Sequence, residues 1–306
     1  MILFFDDRGG FGPTFNATHA VGGAEMHLVQ VAEFLAGAGH DVFAHVHLDD
    51  RELDEGGVLY LDSRRETTDG REVDTLIIVG CASLPRVTAK RVLAFQVVDP
   101  RPHPERFEHL KGRATMVCVS EWQAGLFHAL GHEAIVIPVP IPDEWYDCHV
   151  PPVPGRHVCV ASWNKGAEAT VRMWNPAWGE LAVGSPYSHP ENAEFICKDR
   201  GVTWLGTLRP RERWIAAMRS GAAMARVCTI GETFGVTDVA ARAMGVPAYT
   251  LCTGDVGSLR EVGACVFTDA EEWRRAIREK WQIPSPVDVE TFRASRVLPK
   301  WLEVIA

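Results

Sequence analysis

The chain has 306 residues, 46% of them apolar and 23% charged, with a formal net charge of -9. Those proportions exclude bulk disorder, and the length suits two α/β domains better than one core. The acidic balance argues against a general polyanion binder, and no run of 18 apolar residues predicts a membrane span.

The elements follow in chain order. "ILFFD" (2–6) predicts a first strand, and the two acids after it leave no signal-peptide pattern. "GGAEMHLVQVAEFLAGAGH" (22–40) predicts a helix, with apolar residues at spacings near three and four and a glycine-rich end. Strands follow at 41–47, 75–80, 91–98, 115–120 and 134–138, with a helix at 121–130. This alternation predicts a parallel, doubly wound sheet. "PVPIPDEWYDCHVPPVPGR" (138–156) holds six prolines and reads as a linker. The pattern then restarts, with strands at 157–162, 180–185, 202–206, 225–229, 247–251 and 265–268. Helices are expected at 211–221, 234–245 and 270–281, then a closing helix over 287–305 interrupted by proline. The expected organisation is an N-terminal Rossmann-like domain (1–140), a second one (141–286) and a C-terminal helical segment (287–306) returning to the first. A ligand cleft is expected between the two domains, at the carboxyl ends of the strands.

The eight cysteines form no CxxC pair, and Cys81, Cys118, Cys159 and Cys228 lie in apolar runs. They read as buried free thiols in a reducing cytoplasm. Asn16 opens a glycosylation sequon that has no meaning without secretion.

Four stretches carry candidate chemistry. In "HAVGGAEMHL" (19–28), Gly22 and Gly23 precede a helix, a place where backbone amides can approach an anion or simply form a tight turn. In "ASWNKGAEA" (161–169), Lys165 stands before a helix start, a point charge for a phosphate or a solvated surface lysine. In "GETFGVTDVAARAMGVP" (231–247), Glu232 precedes Thr233, Phe234 and Gly235 at another helix start. A carboxylate there accepts hydrogen bonds from vicinal sugar hydroxyls, or caps the helix dipole. "TGDVGSLREV" (253–262) is a glycine-rich loop, either a second ligand loop or a connection. Trp163, beside Lys165, is the best placed of ten tryptophans to stack on a ligand, although most tryptophans are core.

These stretches, in this order, resemble the retaining glycosyltransferases of the GT-B fold, in the large family 4 group. The matching blocks are "GGAEMHLVQVAEFLAGAGHDV", "VSEWQ" (119–123), "VIPVPIPDEWY" (136–146), "KG" (165–166), "WLG" (204–206) and "ETFGVTDVAARAMGVPAYTLCTGDVGSLREV" (232–262). The resemblance implies two Rossmann-like domains facing a central cleft, and transfer of a sugar from a UDP- or GDP-sugar to a hydroxyl acceptor. That acceptor would be a glycan, a lipid, a small molecule or a hydroxylated DNA base. It implies that Gly22 and Gly23 lie against the diphosphate and the acceptor, that Lys165 binds the diphosphate, and that Glu232 contacts the transferred sugar. The amides of Thr233, Phe234 and Gly235 would lie beside sugar and phosphate. No DxD motif is present, and no metal is implied.

Three positions depart from the family pattern. The second glutamate expected eight residues after Glu232 is Ala240, and Asp238 lies two residues off, about 200° round a helix. The few residues before Lys165, "VASWN", hold no arginine, which leaves Arg209 or Arg211 to serve the phosphate. Where the family carries a histidine, Val98 stands, with Asp99 adjacent as the candidate catalytic group and His103 further on. The departures leave room for a degenerate, non-catalytic member that acts as a binding or partner subunit, and the architecture for a nucleotide-sugar epimerase.

Overall fold

The structure is a computed structural model that describes residues 1–7, 11–12, 23–48, 52–80, 83–147, 151–185, 190–209, 211–281 and 287–306. The chain divides into two compact units. One comprises Met1–Pro140 with Ala294–Ala306, the other Ile141–Arg293.

The first unit is an eight-stranded sheet. Its strands are β1 (Ile2–Phe5), β2 (Val42–Val46), β3 (Glu52–Glu55), β4 (Val58–Asp62), β5 (Glu72–Val79), β6 (Thr88–Gln96), β7 (Thr115–Cys118) and β8 (Ala134–Val136). They lie in the order β3-β4-β2-β1-β5-β6-β7-β8, and every pairing is parallel except β3 with β4. Helices α1 (Gly23–Gly37) and α2 (Glu121–Ala129) belong to this unit. The β3–β4 hairpin is not among the expected strands. Its turn is Gly56-Gly57, both at positive φ, the pairing that a two-residue hairpin turn demands. Acidic residues along β3 hid it, since they break the apolar pattern yet suit a sheet edge.

The second unit is a six-stranded, all-parallel sheet of β9 (Arg156–Val160), β10 (Glu180–Ser185), β11 (Thr203–Thr207), β12 (Ala223–Cys228), β13 (Ala248–Cys252) and β14 (Cys265–Phe267). Its order is β11-β10-β9-β12-β13-β14. Counted within the unit this is 3-2-1-4-5-6, the Rossmann order, and the chain reverses direction across the sheet between β9 and β12. Its helices are α3 (Ala167–Met173), α4 (Ala193–Asp199), α5 (Arg211–Ser220), α6 (Val236–Ala243) and α7 (Ala270–Glu279). Helix α4 is not among the expected helices, because seven residues span too few turns to show a period.

The proline-rich stretch is more ordered than a plain linker. Asp143–Trp145 form a 3-10 turn, and Ile141 pairs with Arg293 as an isolated parallel bridge. Trp145 and Tyr146 are buried, and the guanidinium groups of Arg211 and Arg293 cover their rings at 4.7 and 4.1 Å. The aromatic side chains "WY" anchor what the prolines keep irregular.

The last segments are α8 (Ala294–Val297) and α9 (Pro299–Ile305). Trp301 on α9 is fully buried in the first unit, 5.9 Å from the ring of His27 and 6.1 Å from that of Phe95. His27 itself stacks on Phe95 at 4.6 Å, nearly coplanar. Neither ring nitrogen has a hydrogen-bond partner among the described residues, and burial lowers its pKa to about 3. The unfolded chain therefore takes up a proton near the ordinary value of 6.5 that the folded chain refuses until about 3.

Stability attributable to His27 is thus fully present above pH 6.5 and declines as the pH falls towards 3, by about 1.4 kcal/mol per unit. Melting temperatures between pH 7.5 and 5 should fall more steeply for the wild type than for His27→Phe. His132 and His157, also lowered by burial, titrate in both proteins. Equal slopes would remove His27 as the source.

Candidate functional site

The site grows from the carboxyl ends of β9 and β12, adjacent in the second sheet. After β9 the chain makes a 3-10 turn over Trp163–Lys165. Gly166 follows at φ 129°, where an added Cβ would lie 1.8 Å from the carbonyl oxygen of Val227. Only glycine lets the turn approach β12 this closely. Thr170 stitches the two together, donating to the Gly166 carbonyl (2.7 Å) and accepting from the Val227 amide (2.8 Å). Lys165 is exposed and makes no ion pair among the described residues. Trp163, the expected stacking residue, packs inward. It is buried, edge-on to Trp204 at 5.7 Å, and belongs to the core.

Strand β12 carries Arg226, 2% exposed, in an otherwise apolar run. Its Nη1 donates to Glu232 at 2.9 Å and its Nη2 to Asp238, and Asp238 also accepts from Thr250. Burial opposes the charge on Arg226, but Asp238 and Glu232 outweigh it and hold the pKa well above the ordinary range. Asp238 is fully buried in this pair. Its carboxylate is enclosed by Arg226 and Thr250 and does not reach the surface. Ala240 is buried as well.

Glu232 is held by backbone and side chain together. Its carbonyl accepts from the amide (2.9 Å) and hydroxyl (3.0 Å) of Ser258. Gly257, at φ 59°, lies so close that an added Cβ would sit 2.3 Å from that carbonyl oxygen. The glycine-rich loop at 253–262 is therefore a backing for the Glu232 loop. Oε1 of Glu232 is taken by Arg226, Oε2 has no partner among the described residues, and the side chain is 23% exposed. Thr233 is half-buried. Phe234 is buried edge-on against Phe292 at 5.3 Å. Gly235 adopts the left-handed conformation that starts α6, with Leu259 packed where a Cβ would be. In the first unit, burial and the Glu121 charge push the Cys118 thiol to about 12, and all six described cysteines are free.

The remaining candidates lie elsewhere. Arg209 follows β11, two strands from β9, and is half-buried. Arg211 is committed to the Trp145 ring and to Glu144 at 3.7 Å. In the first unit, Gly23 is the first residue of α1, and Gly22 lies outside the described residues. Asp99 follows β6, and its carboxylate accepts from the amide (2.9 Å), Nε (3.0 Å) and Nη2 (2.7 Å) of Arg101. His103 pairs with Glu105 at 3.3 Å.

Arg226, Thr250 and Ser258 are the site residues that the sequence reading lacks. A lone arginine inside the strand "AMARVC" was the signal, because a charge there needs a buried partner. Among the described residues, no group of three metal-ligating side chains occurs, and no helix is long and apolar enough to cross a membrane.

No family model matches the sequence, and neither does any curated protein. Solved structures do resemble it. AviGT4, a glycosyltransferase involved in avilamycin A biosynthesis, matches with a TM-score of 0.66 at 17% identity, over 99% of this chain and 96% of its own. Anabaena HepE in complex with UDP matches at 0.69 and 13%, over 99% of both chains. A UDP-forming α,α-trehalose-phosphate synthase from Burkholderia xenovorans matches at 0.63 and 10%, over 99% of this chain and 98% of its own. The chain has the GT-B fold. It is an α/β protein of two Rossmann-like units, as the alternating elements predict.

Because the site depends on the contact at Gly166, Gly166→Ala should cost at least about 3 kcal/mol of unfolding free energy in urea. A loss below about 1 kcal/mol would show that the turn can move off β12 freely.

Proposed function

We propose that the protein is a glycosyltransferase that moves a sugar from a UDP- or GDP-sugar to a hydroxyl acceptor, with retention and without a metal. The observation that carries this reading is Glu232. It is fixed at the switch point of the Rossmann sheet with one carboxylate oxygen unpartnered among the described residues, while Lys165 comes from the neighbouring strand end. Ligands of such sheets bind at that point. HepE, of the same fold, is solved with UDP, with UDP and glucose, and with UDP-glucose. Ala294–Ala306 are read as closing the chain onto the first domain, and the buried thiols suit a reducing cytoplasm.

Each residue has a chemical task. Oε2 of Glu232 accepts from hydroxyls of the transferred sugar. Breaking the bond from the anomeric carbon to the phosphate oxygen leaves negative charge on the nucleoside diphosphate. The Lys165 ammonium, the amides of Thr233, Phe234 and Gly235, and the start of α6 offset that charge. The reading gives Gly22 and Gly23 a part in holding the diphosphate, and Arg209 is the arginine left to assist Lys165. The departing phosphate oxygen takes the acceptor's proton on the same face, so no protein base is required. Asp99 then orients the acceptor.

Ala240 favours a second reading, a non-catalytic member that binds its ligand without a carboxylate for the ribose. A panel of UDP-, GDP- and TDP-sugars separates the two. Transfer predicts a thermal shift and slow donor hydrolysis with at least one of them. Lys165→Ala should weaken binding of the nucleoside diphosphate about tenfold. Glu232→Gln should leave that binding intact and lower turnover by about 10²–10³-fold. Binding without turnover supports the second reading, and neither binding nor hydrolysis contradicts both.

A further inference from the structure

A charge in the middle of a buried strand needs a reason. Arg226 is the one charged residue of β12 and is nearly inaccessible, so its guanidinium is stripped of water. Asp238 alone would neutralise it. Yet the planar fork spans two carboxylates from different places, Asp238 in the first turn of α6 and Glu232 in the loop before it. The two carboxylates differ sharply. Asp238 has no exposure and shares its oxygens between Arg226 and Thr250, whereas Glu232 reaches the surface.

We infer that Arg226 is a positioning residue for Glu232, with Asp238 as its buried counter-ion, so that Glu232 presents Oε2 to the donor sugar in one fixed orientation. This rests on the sugar-facing role proposed above for Glu232. A free glutamate has three side-chain rotors, and immobilising them on binding costs affinity. Here that cost is met on folding. Ser258 and Gly257 fix the backbone of Glu232, and a charge-assisted hydrogen bond fixes Oε1. Only Arg226 has the two-pronged geometry to serve both carboxylates, because a lysine offers a single point charge. Asp238 is fully buried with each oxygen engaged inside the fold, so its place near the position of Ala240 does not supply the ribose carboxylate.

The test is titration calorimetry on the full chain with UDP, UDP-glucose, GDP and GDP-mannose, scored as the affinity for the sugar nucleotide relative to its diphosphate. Glu232→Gln should lower this ratio about tenfold with the diphosphate affinity unchanged. Arg226→Met alone would strand Asp238, so the informative variant is Arg226→Met/Asp238→Leu, which leaves no uncompensated buried charge. It should lower the ratio by the same factor, again without loss of diphosphate binding. Adding Glu232→Gln to it should change little, since coupled residues are not additive. Arg226→Lys, which retains the buried charge, should fall between. The inference is overturned if Arg226→Lys and the double variant keep the wild-type ratio, or if they lose diphosphate and sugar nucleotide equally, as a merely structural arginine would. A wild type that binds none of the four, or whose ratio ignores Glu232→Gln, removes the function reading and this inference together. Wild-type discrimination that survives loss of Arg226 removes this inference alone.

Discussion

One buried cation organises the second domain. A guanidinium in the interior of a parallel sheet cannot shed its proton, so the chain must deliver carboxylates to it. Both come from the segment directly after β12. Asp238 reaches back from α6 and Glu232 from the intervening loop, which must therefore fold over the end of its own strand. The left-handed Gly235 makes that reversal possible, and Leu259 occupies the space its missing side chain leaves.

The second constraint is the close approach at the switch point. Parallel connections of one hand place β9 and β12 side by side with their outgoing loops at the same end. Gly166 lets the first loop lie directly on β12, and Gly257 lets the loop after β13 lie directly on Glu232. Two loops are thereby held backbone on backbone, the first against β12 and the other against Glu232. Lys165 stays at the surface, where an anionic group can reach it.

The parts of this arrangement that follow local rules were legible in the sequence. Apolar runs such as "TLIIVG" marked β5, and alternation with helical patterns gave the Rossmann class, because strands buried on both faces must be continuously apolar. Gly56-Gly57 was a readable hairpin signal, outweighed by the acids of β3. Helix phase placed Asp238 off the face of Ala240, but that both are buried was not legible, since it depends on what packs around the helix. Partner identity was not legible. That Arg101 occupies Asp99, that Arg211 covers Trp145, and that Trp163 meets Trp204 all depend on how loops return in space. Arg226 was visible as a solitary charge, but its double pairing needs the fold of the following loop.

The central claim is that Glu232 arrives at the reaction already oriented, with Arg226 on one oxygen and the donor sugar on the other. A crystal structure with the nucleotide sugar that gives the largest thermal shift tests it directly. The account predicts a sugar hydroxyl at hydrogen-bond distance, about 2.7–3.0 Å, from Oε2, with Oε1 still on Arg226 and the diphosphate beside Lys165. A sugar bound away from Glu232, or a Glu232 side chain that leaves Arg226 to meet it, would contradict the claim.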